Sequence, residues 1–141
     1  MAAFQKFNAF VEHLAEKVHN LGADTLKVLL TNTAPVATNS VKADLTEISA
    51  GNGYTAGGTA ASITSSSQTS GTYKLVLGDV VFTASGGTIG PFRYAVLYND
   101  TPTSPADPLI GFWDYGSSIT LNDTEPFTVD YDPTNGVLTV A

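Results

Sequence analysis

Apolar residues recur at steps of three and four at the start of the chain. Phe4, Phe7, Phe10, Val11, Leu14, Val18 and Leu21 share one helical face, while Gln5, Glu12, Glu16 and Lys17 fall elsewhere. The spacing predicts a helix over residues 4–21, capped by Gly22. The period then changes to two. Thr25–Thr31 reads as a strand with Leu26, Val28 and Leu30 on one side, and Thr33-Ala-Pro35 breaks it. Asp44–Ile48 has the spacing of one helical turn, with Leu45 and Ile48 on one face. Residues 51–72 are rich in glycine, serine and threonine and predict a long exposed loop, with at most a short strand near 60–64. Strands follow at Thr72–Leu77, Val80–Thr83, Phe92–Tyr98, Leu109–Tyr115, Ser118–Leu121, Pro126–Tyr131 and Val137–Val140, separated by turns rich in glycine, aspartate and asparagine. Many short strands with regular turns describe an antiparallel β-sandwich, jelly-roll-like, with one N-terminal α-helix. Residues 1–141 form a single domain on this reading, with the sandwich spanning 24–141 and no internal repeat.

Two strands depart from the pattern of a half-exposed sheet. In 92–98, Phe92, Tyr94, Val96 and Tyr98 point one way, and Arg93, Ala95 and Leu97 the other. In 109–115, Leu109, Trp113 and Tyr115 oppose Ile110, Phe112 and Asp114. Both faces are largely apolar, so something must cover the second: the helix, the long loop or another chain. One helix can cover one face, and its three phenylalanines lie near a free end. Phe4, Phe7 and Phe10 are therefore expected at an interface with a partner, against the simpler alternative that the helix folds back on its own sheet. A hairpin symmetric about residues 99–108 also sets Arg93 opposite Asp114.

A length of 141 residues is enough for one core without metal or disulfide staples. The chain has no cysteine, which excludes disulfides, thiolate metal sites and thiol nucleophiles. No apolar run reaches the ~20 residues of a membrane-spanning helix, and the opening Met1–Phe7 predicts no signal peptide. The net charge of −7 is unevenly placed. Six bases and six acids lie within residues 1–93. After Arg93 come only acids: Asp100, Asp107, Asp114, Asp123, Glu125, Asp130 and Asp132. Such a surface repels phosphate, so neither nucleic acid nor an anionic membrane is an expected partner; a basic protein or a cation fits better.

Candidate chemistry is sparse. Gly51-Asn-Gly-Tyr-Thr-Ala56 has the letters of a dinucleotide fingerprint without the strand before it and the helix after it. His13 and His19 sit six apart on the expected helix, roughly 240° around its axis, too far apart to grip one ion. No nucleophile elbow accompanies them. Asp130–Gly136 is oxygen-rich but lacks the full calcium-loop pattern, and it reads first as a hairpin turn. Asn99-Asp-Thr101 and Asn122-Asp-Thr124 fit the glycosylation triplet. Tyr94, Tyr98, Trp113 and Tyr115 would make a sugar-stacking platform if exposed, but mid-strand positions favour core or interface.

Several segments together resemble a family. Ala23–Val28, Leu30-Thr-Asn-Thr-Ala-Pro35, Ala43-Asp-Leu-Thr-Glu-Ile48, Gly51-Asn-Gly-Tyr-Thr-Ala-Gly-Gly58, Phe92-Arg-Tyr-Ala-Val-Leu-Tyr98, Leu109-Ile-Gly111 and Asp114-Tyr-Gly116 span most of the chain in order. They resemble small virion structural proteins of tailed phages, above all head decoration or cement proteins. That resemblance implies a non-enzymatic protein without cofactor, located on the capsid exterior of the virion. It would bind the major capsid protein as a dimer or trimer and stabilise the head shell. The alternative is a tail or fibre component acting as a receptor- or sugar-binding module.

Overall fold

The computed structural model describes residues 2–141. Its elements are β1 (Gln5–Lys6), α1 (Asn8–Ala15), β2 (Leu26–Thr31), β3 (Thr59–Ala61), β4 (Ile63–Thr69), β5 (Thr72–Leu77), β6 (Val80–Thr83), β7 (Ile89–Asn99), β8 (Leu109–Leu121), β9 (Pro126–Val129) and β10 (Leu138–Val140). The pairings are antiparallel, in a five-stranded sheet ordered β1-β8-β7-β2-β3, a three-stranded sheet β10-β5-β4 and a two-stranded sheet β6-β9. The mainly β, one-helix sandwich expected from the sequence is present. The strand order supports the sandwich but does not establish a jelly roll.

The large sheet packs one face against the two smaller ones. Leu26, Val28, Leu30, Ala95, Leu97, Ile110 and Trp113 meet Leu75, Leu77, Val80, Phe82, Val129 and Leu138 in the main core. The second face holds a separate cluster of Phe7, Leu29, Tyr94, Val96, Tyr98, Leu109 and Phe112. The segment between β2 and β3 covers it. Leu45 packs on the cluster, the Tyr98 hydroxyl donates to the Gly57 carbonyl at 2.6 Å, and Lys42 lies over the Tyr98 ring. Both-sided burial thus arises within one chain, which explains why β7 and β8 read as continuous apolar runs.

Several expectations change, among them the helical turn expected at Asp44–Ile48, which is a short 3-10 turn at Lys42–Asp44 followed by extended backbone. The helix is Asn8–Ala15 rather than 4–21. Lys17 takes a left-handed φ of 68°, Val18 N–H reaches back to the His13 carbonyl at 2.9 Å, and the chain turns. Leu21 still enters the main core, so the apolar period outlasts the helix. The loop 51–72 is a loop only to Gly58; β3 and β4 occupy most of the rest. Ser70 and Gly71, both with φ above zero, form the tight turn that joins β4 to β5. The hydroxyl side chains of β4 stay exposed or half-exposed while β5 supplies Leu75 and Leu77 to the core. Finally, the two strands expected at 109–115 and 118–121 are one strand, β8.

The β7–β8 register also differs by one residue: Tyr94, not Arg93, stands opposite Asp114. A bulge follows, because the next pair is Phe92 with Ile119. It turns Phe92 into the main core while Tyr94 faces the second cluster, so the two do not share a face as expected.

Candidate docking groove and neighbouring polar clusters

Past Tyr94 the β7–β8 pair loses its neighbours, since β2 stops at Thr31, opposite Tyr94, and β1 stops opposite Phe112. Ile89–Arg93 and Asp114–Leu121 run on as a two-stranded arm. Between this arm and β9 lies an open groove of about 370 Å³. Trp113, Tyr115, Phe127 and Asp130 line it, together with Arg93 and Tyr94. Tyr115 is 55% exposed, the one aromatic residue among the large exposed hydrophobics, and its ring meets Phe127 edge-on at 5.7 Å.

At the arm's root Arg93 and Asp114 form a two-pronged pair, Nε to Oδ1 at 2.7 Å and Nη2 to Oδ2 at 3.0 Å. The bulge lets these side chains meet although their backbones are one residue out of register. Asp114 Oδ1 also accepts Gly116 N–H at 2.8 Å. The guanidinium and this amide hold the Asp114 carboxyl below the usual carboxylate range. The guanidinium lies 5.4 Å from the centre of the Tyr94 ring.

A second groove, about 590 Å³, lies where α1 turns back and is lined by His19, Asp24, Ser66 and Tyr73 among others. Here the helix break brings together what the sequence reading kept apart: the His13 and His19 rings are 6.1 Å apart. His19 is buried, not on the surface. Its Nδ1 faces Asn99 Nδ2 at 3.1 Å. Asn99 is fixed on both sides, donating to Asp24 Oδ2 at 2.7 Å and accepting Thr101 N–H on Oδ1 at 3.1 Å. Asn99 therefore donates to His19 Nδ1, and the ring proton sits on Nε2. A protonated nitrogen cannot ligate a metal or act as a base. Nε2 and His13 Nδ1 are both buried without a hydrogen-bond partner. Burial, with the neighbouring His13 adding to it, lowers the His19 pKa to about 4.

The remaining candidates resolve into structure. Phe7 and Phe10 are buried in the second and main clusters, and Phe4 packs on Trp113 at 5.4 Å. All three, expected at a partner interface, make contacts within the chain, where β1 lies along β8 and folds the start of the chain onto its own sheet. Gly51 and Tyr54 bridge each other across a tight turn, and Tyr54 is buried. No strand directly precedes and no helix follows; Gly53 lies close against the Thr83 backbone, while Gly51 has open space around it. Asp132 accepts the N–H groups of Thr134 at 2.7 Å and Asn135 at 3.0 Å, the geometry of a turn. Among the described residues no three His, Asp or Glu side chains are placed to hold a metal ion. Asn99 is fully buried, which removes it as a glycan acceptor. Of the four aromatics weighed as a sugar platform, only Tyr115 is exposed.

No known protein family, no curated protein and no solved structure matches this chain.

Proposed function

We propose that this chain is a non-enzymatic virion structural protein that decorates or cements the head shell of a tailed phage. It would bind the major capsid protein as a dimer or trimer. The observation that supports the reading is where the resembling segments sit in the fold. Ala43–Ile48 and Gly51–Gly58 interlock: Glu47 Oε1 accepts both the Tyr54 hydroxyl and Gly57 N–H at 2.6 Å, and Leu30 N–H donates to the Tyr54 hydroxyl at 3.1 Å. Phe92–Tyr98 and Leu109–Gly111 form the central hairpin. These segments build a two-sided core and present no nucleophile or base to a cleft. A rigid module with one aromatic groove open to solvent suits attachment. Stabilisation of the shell then follows by mass action, since a ligand that binds only the assembled lattice favours that lattice.

Exposed Tyr115 beside Phe127 favours a second reading, a sugar-binding tail or fibre module. The burial of Tyr94, Tyr98 and Trp113 weighs against it. The test is to add purified protein to heads of the encoding phage that lack it. Saturable binding, with a higher temperature of DNA release, is the expected result. Binding to tails alone, or to neither, would defeat the proposal.

A further inference from the structure

We infer that the groove between β8 and β9 seats a basic side chain, arginine or lysine, presented by a partner protein. The inference names a docking chemistry for the function proposed above and rests on that reading only in taking the partner to be a shell protein.

Charge complementarity supports the assignment. From Tyr94 onward the chain has no base and seven acids. Asp130 lines the groove and is exposed. Among the described residues Arg93 is the cation that lines the groove, and it is neutralised by its two-pronged bond to Asp114. The lining therefore carries the Asp130 carboxylate beside the aromatic rings of Tyr115 and Phe127. A cation over aromatic rings with a carboxylate beside it is a favourable setting for a guanidinium or ammonium group. The groove already holds one contact of this kind, the Arg93 guanidinium over Tyr94 at 5.4 Å. Its volume of about 370 Å³ admits a long side chain.

A sugar is the competing occupant of the same groove. Sugar recognition needs free donors and acceptors beside the ring. Here Arg93 Nε and Nη2 and both Asp114 oxygens are occupied by each other, and Asp114 Oδ1 takes Gly116 N–H as well. Thr128 and the Tyr115 hydroxyl also line the groove, so a neutral oligosaccharide is the control that decides against a sugar.

Trp113, the single tryptophan of the chain, lines the groove and reports its occupancy. The experiment titrates the full chain with a short capped peptide of alternating arginine and glycine, following Trp113 fluorescence. A glutamine-for-arginine peptide and a neutral oligosaccharide serve as controls. The expected result is a saturable change with the arginine peptide alone, weakened by added salt. Tyr115→Ser should weaken it by about threefold to tenfold, and Asp130→Asn by about twofold to fivefold. Both side chains are exposed, and unchanged melting curves would show that the variants are folded. No saturable change, equal binding of either control, or unaltered affinity in both variants overturns the assignment. Head-binding assays separate the two claims. If the wild type binds heads and both variants bind equally well, the groove is wrong and decoration stands. If the wild type binds the arginine peptide but no heads, the groove stands and decoration fails.

Discussion

Tyr54 shows how one hydroxyl ties three segments together. It donates to Glu47 and accepts from Leu30 N–H, so it joins the β2 edge to the covering segment. Burial and the Glu47 carboxylate push its pKa well above the usual range, so it stays protonated as this geometry requires. Tyr54→Phe leaves a buried N–H and a carboxylate oxygen short of a partner. The expected loss is about 1–3 kcal/mol, read as a lower urea midpoint with unchanged slope. His19 gives a pH signature. Its pKa is about 4 in the folded chain against 6.5 for the unperturbed group. Between those values the unfolded chain binds a proton that the folded chain refuses. His19 thus costs nothing above pH 6.5, and stability falls as pH drops from 6.5 to 4, by no more than about 3 kcal/mol and by less where solvent reaches the ring. His19→Gln, which keeps an acceptor for Asn99, should flatten that part of a denaturation-versus-pH curve; an unchanged slope would refute the assignment. Of these residue-level features, the Arg93–Asp114 pair was legible, because hairpin symmetry brings the two within reach and a bulge absorbs the one-residue error. The meeting of His13 and His19 was not, since it depends on a helix break at Lys17 that the apolar period conceals.

At the scale of elements, the sequence reading succeeded where the periodicity arose from secondary structure and failed where tertiary packing produced it. Val18 and Leu21 prolong a helical rhythm after the helix has ended. In β4 the reverse occurs: hydroxyl side chains suggest a loop, yet pairing with β5 makes a strand whose open side is polar. The Gly51–Gly58 loop was legible as glycine-dependent but not as a clamp. Gly58 shows why glycine is required there. Its φ is +79°, and a Cβ would collide with the Val28 carbonyl oxygen and with Leu29, both backbone. Gly86 has nearly the same φ, +80°, but open space around it. Gly86→Ala should therefore cost only the left-handed strain, about 1–2 kcal/mol. Gly58→Ala adds backbone overlap of about 1–3 kcal/mol and displaces β3 from β2. Thermal melts of the pair isolate the contact, and equal losses would show that the close approach does not matter.

For the whole molecule, the decisive feature is a central sheet buried on both sides by one chain. The sequence showed that β7 and β8 need cover on both faces but not which part supplies it, because segment 32–58 carries few apolar residues to announce its role. It covers the second face with Leu45, backbone hydrogen bonds and the Lys42 ammonium over Tyr98, while Phe7 supplies a ring from the start of the chain. Phe7 is fully buried, with its ring 5.2 Å from Phe112, and Phe4 is only half-buried against Trp113. The second cluster is small, so removing a fully buried ring should uncouple it from the sandwich. Phe7→Ala is expected to cost about 3–5 kcal/mol and Phe4→Ala about 1 kcal/mol. The loss should also be local in sequence. Amides hydrogen-bonded in the covering segment, such as Lys42, Leu45 and Ile48, should lose exchange protection in Phe7→Ala well before those of Leu75, Leu77 and Phe82 in the main core. Uniform loss across both sets would mean that the two clusters fold as one unit. If Phe7→Ala left stability intact but abolished assembly, the ring would belong to an interface between chains after all, and the two-sided core described here would be incomplete.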